Sequence, residues 1–333
     1  MSGVKCTNDH KGRILPFLLL FCILIGGCGR RIEGSVSFLP YQAYDFLLPS
    51  ETVSRTAGIS GFSSDLCVLA NENTSTENTD AQTCHAAAVF NLETKEVPFA
   101  YNIFDQIYPA STTKIMTLLV ACENGNPEDE VTVSHEAASQ PSDSSICGIK
   151  EGEVYTLKDL MYGMMLKSGN DAATAIAEHV GGSVEAFADM MNEKALSLGA
   201  TGSHFTNPHG YHDPEHYTTA YDMYLILNHA ITNELFASIF KETSYTATFK
   251  ATNGELQTAE WISTNKYKNG QETAPEGFTV LGGKTGTTYD AGYCLVMLAE
   301  NPEGQLEILE VFKSDARINL YLVMNQLMRF YGS

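Results

Sequence analysis

Three short polar motifs stand in one order along the chain: Ser111-Thr112-Thr113-Lys114, Ser168-Gly169-Asn170 and Lys284-Thr285-Gly286-Thr287. Together they hold a hydroxyl nucleophile, a candidate base and a cationic anchor, the parts of serine acyl transfer. A serine hydroxyl is a weak nucleophile until an adjacent base takes its proton. Residues three apart on a helix share a face, so Ser111 and Lys114 can meet. A lysine is a base only when neutral, which needs burial or a nearby cation, and Lys284 is the candidate cation. A serine in the first turn of a helix also has backbone N–H groups aimed at a developing oxyanion. Ser168 is the candidate relay of a proton to a leaving nitrogen, and Asn170 the candidate holder of a substrate amide. Lys284 with the hydroxyls of Thr285 and Thr287 suits a carboxylate, and Gly286 lets a ligand backbone come close. Each motif alone is also an ordinary helix start, turn or Gly-rich hairpin; their conjunction in order carries the weight.

The elements that must position these residues can be read in the same way. Tyr108-Pro109-Ala110 before the apolar run from Ile115 to Ala121, and Gly125 after it, predict a helix opening at Ser111. Thr156-Leu157-Lys158-Asp159 is a capping-box variant, opening a helix that turns Leu160, Met161, Met164, Met165 and Leu166 inward. Ser168 and Asn170 then fall on the turn before the next helix. Residues 278–288, 291–299 and 306–312 read as strands, the last two joined by the turn Asn301-Pro302-Glu303-Gly304. Earlier strands are expected at 66–68, 85–91 and 97–101, helix caps at Ser183 and Thr219, and a stop at Gly199. A last helix over 316–330 presents Leu320, Val323, Met324 and Leu327 for packing on a sheet. The expected class is α+β: an antiparallel sheet flanked by helices and shared by the N- and C-terminal pieces, with a helical subdomain inserted over about residues 111–240.

Longer stretches around these motifs carry a family resemblance. They are Tyr108 to Thr117, Leu166 to Ala173, Met191-Asn192-Glu193-Lys194-Ala195, His204 to Gly210 and Gly283 to Thr287. From about Ala86 to Ala299 the chain resembles the D-alanyl-D-alanine carboxypeptidases, the low-molecular-weight penicillin-binding proteins. The resemblance implies a β-lactamase/transpeptidase-like fold and a hydrolase that removes the C-terminal D-alanine from peptidoglycan stem peptides. It implies an acyl-enzyme on Ser111, catalytic roles for Lys114, Ser168 and Asn170, and substrate binding by Lys284, Thr285, Gly286 and Thr287. It also implies an oxyanion hole from the N–H groups of Ser111 and Thr287, acylation of the same serine by β-lactam antibiotics, and no cofactor. Family members often add an arginine upstream of the third motif to grip the carboxylate. Only Lys266 and Lys268 stand nearby, so that role is unassigned. Two other readings share features with this one. A class A β-lactamase needs an E-x-x-L-N pattern after Asn170, and Glu193-Lys194-Ala195-Leu196-Ser197 has serine where asparagine should stand. A non-catalytic, penicillin-binding sensor of the cell wall would keep the pocket without turnover, although all the chemical groups are present.

The chain ends bear on location. Lys5, Lys11 and Arg13 precede the apolar block from Ile14 to Ile25, too short to span comfortably and well shaped for a signal peptide over residues 1–27. Ile25-Gly26-Gly27-Cys28 resembles a bacterial lipoprotein cleavage box with Cys28 as the lipidated residue; ordinary cleavage and an uncleaved anchor are the alternatives. Residues 28–65 then read as a spacer and 66–333 as the penicillin-binding/carboxypeptidase domain. The expected location is extracytoplasmic, anchored to the outer face of the bacterial cytoplasmic membrane. The β-rich domain and amphipathic anchor that follow in many relatives are expected to be missing after Ser333, with an N-terminal lipid in the anchor's place.

The 333 residues carry a net charge of −20, and removing 1–27 takes away three cations (Lys5, Lys11, Arg13) and one anion (Asp9), leaving about −22. So acidic a body repels nucleic acid and anionic lipid surfaces. Any anion site must be a local positive pocket in a negative surface. Cys67 and Cys84 bracket a polar loop and could form a disulfide, while Cys122 and Cys294 read as small core residues. The spacing of His204, His209, His212 and His216 would permit zinc ligation. Because His204 to Gly210 matches the family's own metal-free segment, no metal is assigned.

Overall fold

The apolar run from Ala86 to Phe90 forms β1 (Ala86–Asn91), a strand buried along its whole length. In this computed structural model, which describes residues 65–70 and 72–332, β1 pairs with β2 (Phe99–Tyr101) and with β9 (Leu306–Ser314). β8 (Gly292–Glu300) and β7 (Thr279–Thr288) complete an antiparallel sheet in the order β2-β1-β9-β8-β7. Early and late parts of the chain therefore share one sheet, as expected. The signal segment, Cys28 and the spacer up to residue 64 lie outside the described residues.

Both faces of this sheet are covered, which is why β1 and β8 are near-continuous apolar runs rather than alternating. Ala88, Phe90, Val296, Ile308 and Phe312 face the helical part. Val89, Leu295, Met297, Leu309 and Val311 pack with Leu320, Val323, Met324 and Leu327 of the last helix, α8 (Arg317–Tyr331). Each such side chain contributes about 1.5–3 kcal/mol when fully buried. Cys67 belongs to the first core and Cys84 to the second, on opposite sides of the sheet. Their thiols are free and donate to the carbonyls of Asn91 and Ala81, so no disulfide joins them.

The helical part is built around α1 (Lys114–Asn124), buried continuously from Lys114 to Ala121. Packed on it are α3 (Leu157–Leu166), α4 (Asn170–Gly181), α5 (Val184–Ser197), α6 (Ala220–Ala230) and α7 (Glu234–Phe240). The short α2 (His135–Ala138) packs on α4. The expected caps are in place: Thr156 and Asp159 form the reciprocal capping box, while Ser183 and Thr219 accept from Ala186 N–H and Asp222 N–H. One start differs. The helix begins at Lys114, and Ser111 lies on a preceding 3-10 turn, Ala110–Thr113. Ala110 has φ +48°, and the hydroxyls of Thr112 and Thr113 donate to the carbonyls of Pro109 and Ala110, which competes with a helical ladder there.

Two further differences concern strands. Residues 66–68 form none; Cys67 N–H instead donates to the Tyr224 hydroxyl. A second antiparallel sheet, not expected, contains β3 (Glu130–Thr132), β4 (Val154–Thr156), β5 (Ser244–Lys250) and β6 (Leu256–Ile262) in that order. Its long β5–β6 hairpin is mostly exposed and is anchored by buried Trp261, which stacks on Tyr155 at 6.2 Å.

Candidate active site

Four pieces of chain converge on Ser111: its own turn and α1, the α3–α4 turn, strand β7 and the loop between α5 and α6. Lys114 Nζ has Ser111 Oγ at 3.1 Å, Asn170 Oδ1 at 2.7 Å and the His209 carbonyl oxygen at 2.8 Å. The amide and carbonyl oxygens can only accept, whereas a hydroxyl can also donate. A neutral Lys114 amine satisfies those two acceptors with its N–H groups and leaves its lone pair facing the Ser111 O–H. Burial holds the Lys114 pKa well below the usual lysine range, and the charge on Lys284 adds to the effect.

Lys284 comes from β7, at the edge of the five-stranded sheet. It is 1% exposed, and its ammonium donates to Ser168 Oγ at 2.9 Å and to the Thr285 carbonyl at 2.8 Å. Burial pushes its pKa down to about 7. Ser168 holds φ +59° on the α3–α4 turn, which directs its hydroxyl back toward β7. Gly286 is small for a reason: a Cβ there would stand 3.0 Å from Ser111 N and 2.9 Å from the Pro109 carbonyl oxygen. The bare strand thus lies against the turn that carries the nucleophile.

Two hollows of opposite charge meet at Ser111. The first, of about 210 Å³, is lined by Thr264, Lys266, Thr285, Thr287 and Arg317 and, among the described residues, by no acidic side chain. The second, of about 760 Å³, is lined by Asp143, Tyr211, Asp290 and Asp315 and, among the described residues, by no lysine or arginine. Ser111 and Thr287 border both. Thr285 and Thr287, read from the sequence as candidate anion ligands, line the first hollow. Lys284 does not line the first hollow, because a buried ammonium must find acceptors and takes Ser168 and the Thr285 carbonyl. The cations at its wall are Lys266 and Arg317. Lys266 is also 3.5 Å from Glu272, whereas Lys268 turns away to the Leu281 carbonyl.

Sequence reasoning missed Asp171, Ser145 and Thr264 besides Arg317. Asp171 accepts from the N–H groups of Cys147, Gly148 and Ile149, pinning a loop whose Ser145 borders both hollows and whose Ser145 carbonyl accepts from Asn170 N–H. Asp171 follows Asn170 directly, a signal that was present. Thr264 Oγ1 lies 2.9 Å from Thr285 Oγ1, but nothing local marks it. The four histidines go to separate partners: His204 to the Glu215 carbonyl, His209 to Tyr211 N–H, His212 toward Asp290 and His216 to Thr113. Glu193 lines neither hollow.

Residues 72–314 match the peptidase S11 family, D-alanyl-D-alanine carboxypeptidase. The chain is 33% identical over 230 residues to the D-alanyl-D-alanine carboxypeptidase DacF of Bacillus subtilis, across 66% of this chain and 55% of that protein. It therefore spans little more than half the length of that relative. Among solved structures, the Streptomyces K15 DD-transpeptidase superposes with a TM-score of 0.65 at 28% identity, covering 73% of this chain and 96% of that one. A D-alanyl-D-alanine carboxypeptidase from Mycobacterium tuberculosis does so with a TM-score of 0.65 at 28% identity, covering 75% and 90%. The α+β architecture described above is the DD-peptidase fold. By sequence, by fold and by the lysine-flanked serine at its centre, the chain belongs to the D-alanyl-D-alanine carboxypeptidase family of serine peptidases.

Proposed function

We propose that this protein removes the C-terminal D-alanine from peptidoglycan stem peptides through an acyl-enzyme on Ser111, and that β-lactam antibiotics inhibit it by acylating the same serine. The observation that carries the reading is the threefold environment of Lys114 Nζ, with two acceptors and one hydroxyl. The substrate's free carboxylate enters the hollow of Thr285, Thr287, Lys266 and Arg317, and the rest of the peptide lies toward the acidic cleft. Ser111 Oγ attacks the penultimate carbonyl carbon while its proton passes to Lys114. The N–H groups of Ser111 and Thr287 hold the oxyanion, each such donor being worth about 3–4 kcal/mol of barrier. The C–N bond then breaks and the departing nitrogen takes a proton by way of Ser168, which Lys284 orients. Water, deprotonated by Lys114, cleaves the ester and returns Ser111.

We place this activity outside the cytoplasm, with the chain held at the membrane through Cys28 or an uncleaved N-terminal segment; fatty-acid labelling lost in Cys28→Ala tests the lipid. The central test is intact-protein mass spectrometry after incubation with penicillin, with assay of D-alanine release from a synthetic pentapeptide. The expected result is one adduct on Ser111 and D-alanine release, both lost in Ser111→Ala. An adduct elsewhere, or release that survives Ser111→Ala, rejects the reading. Rapid turnover of a chromogenic cephalosporin favours a β-lactamase instead.

A further inference from the structure

The residue before the nucleophile is in a conformation that alanine avoids. Ala110 has φ +48°, and such a left-handed non-glycine residue costs about 1–3 kcal/mol unless its surroundings hold it. The loop between α5 and α6 supplies those surroundings twice. Gly210 packs its backbone on the Ala110 peptide so closely that a Cβ on Gly210 would overlap the Ala110 carbonyl oxygen. That oxygen also accepts from Thr113 Oγ1 at 2.8 Å, and Thr113 Oγ1 lies 2.8 Å from His216 Nε2. His216 Nδ1 in turn lies 3.0 Å from the backbone nitrogen of Thr206.

A backbone N–H only donates, so Nδ1 is the accepting nitrogen and the ring proton is assigned to Nε2. The chain of bonds then runs in one direction. Thr206 N–H donates to His216, His216 Nε2–H donates to Thr113, and the Thr113 O–H is left to donate to the Ala110 carbonyl. His216 is 2% exposed and Thr113 is 0% exposed, so water cannot readily replace either partner.

We infer that His216 is a positioning residue for the nucleophile. By way of Thr113 it holds the Ala110–Ser111 peptide in its strained orientation. That orientation sets two things together: where the Ser111 N–H points and how far Ser111 Oγ lies from Lys114 Nζ. His216 touches neither Ser111 nor the hollows beside it. The same loop presents the His209 carbonyl to Lys114, so one segment braces both the nucleophile and its base.

This inference rests on the acyl-transfer reading of Ser111, and the experiment separates the two. The readouts are the limiting rate of Ser111 acylation by a fluorescent penicillin, kcat and KM for D-alanine release, and thermal melting of each variant. His216→Leu and Thr113→Val should lower the acylation rate and kcat roughly 10- to 100-fold with KM little changed, as small misplacements of reacting groups do. His216→Gln should restore most of the rate, because its amide oxygen can accept from Thr206 N–H and its amide N–H can donate to Thr113. The double variant His216→Leu/Thr113→Val should be no slower than the worse single, since both break one chain. Thr113→Val is nearly isosteric and keeps the test alive if His216→Leu does not fold. A folded Thr113→Val acylating at the wild-type rate overturns the inference, as does a loss in His216→Leu that glutamine fails to rescue, or one seen in KM alone. A wild-type protein that neither forms the adduct nor releases D-alanine sinks the functional reading itself and this inference with it.

Discussion

Lys114 and Lys284 reach one crevice from a helix and from a strand edge, and each faces a different serine. Lys114 Nζ is 3.1 Å from Ser111 Oγ, and Lys284 Nζ is 2.9 Å from Ser168 Oγ. Both are essentially without solvent, at 0% and 1% exposure. Two ammonium groups so placed repel, so the first proton lost at this pair is lost easily, and the geometry assigns that loss to Lys114. In the proposed mechanism this divides the labour: one amine is neutral beside the nucleophile and one is charged beside the relay.

The pH dependence of kcat/KM should therefore be bell-shaped. Because burial and Lys284 lower the Lys114 pKa, the base becomes neutral and active as pH rises through that lowered value. Lys284, pushed down to about 7, loses its charge on the alkaline side, and a bound carboxylate moves that limb upward only in the kcat profile, which reports the complex. Both limbs belong to a coupled pair. Lys284→Gln removes the repelling charge, so the acid limb should shift to higher pH while the rate falls. An acid limb that stays put in Lys284→Gln contradicts the coupling.

Lys114→Met should slow acylation by about 10²- to 10⁴-fold, the usual worth of a positioned proton-transfer group. Ser168→Ala should be selective instead. A departing amine needs a proton and a thiolate does not, so the loss should be large for a D-alanyl-D-alanine peptide and small for a matching thiolester. Parallel kcat/KM measurements on the two substrates decide; equal losses would remove Ser168 from the proton path.

Arg317 lines the cationic hollow, with its guanidinium carbon 5.5 Å from the centre of the Tyr293 ring. Arg317→Leu should lower kcat/KM for a substrate with a free C-terminal carboxylate by about ten- to a hundredfold, the range expected of a charged hydrogen bond. A substrate with that carboxylate amidated should lose little. Lys266→Gln should act in the same direction but less strongly, because Lys266 is already drawn toward Glu272. Equal effects on both substrates would show that Arg317 serves the fold rather than the anion.

Glu310 is 0% exposed on β9, and both of its carboxylate oxygens lack a hydrogen-bond partner among the described residues. Burial holds its pKa well above the ordinary 4.5, with nearby Asp222 adding to the rise. The folded state therefore keeps a proton that the unfolded chain releases. The stability this contributes is complete below pH 4.5 and is lost as pH rises toward the folded value, at about 1.4 kcal/mol per pH unit. Glu310→Met removes the cost, so denaturant melts should show a gain over wild type that is larger at pH 8 than at pH 5. A gain independent of pH would mean that Glu310 is not titrating as described.

Local chemistry was legible because its signals are local. Capping at Thr156, Ser183 and Thr219 depends on side chains within three residues of the backbone they satisfy. The β5–β6 hairpin was equally local, with Asn253-Gly254 at its turn, yet its polar strands hid it in a region read by apolar pattern. The start of α1 was misplaced because the positive φ of Ala110 is imposed by Gly210 and Thr113 rather than by its own residue type. Residue types and spacing by themselves singled out Ser111, Lys114 and Ser168 as the candidate nucleophile, base and relay. Only the tertiary structure shows which lysine lies beside which serine, that Arg317 and Lys266 rather than Lys284 line the cationic hollow, and that His216 is linked to the nucleophile's turn through Thr113. Those properties depend on burial and on distances between residues far apart in the chain, and neither is written in any one segment.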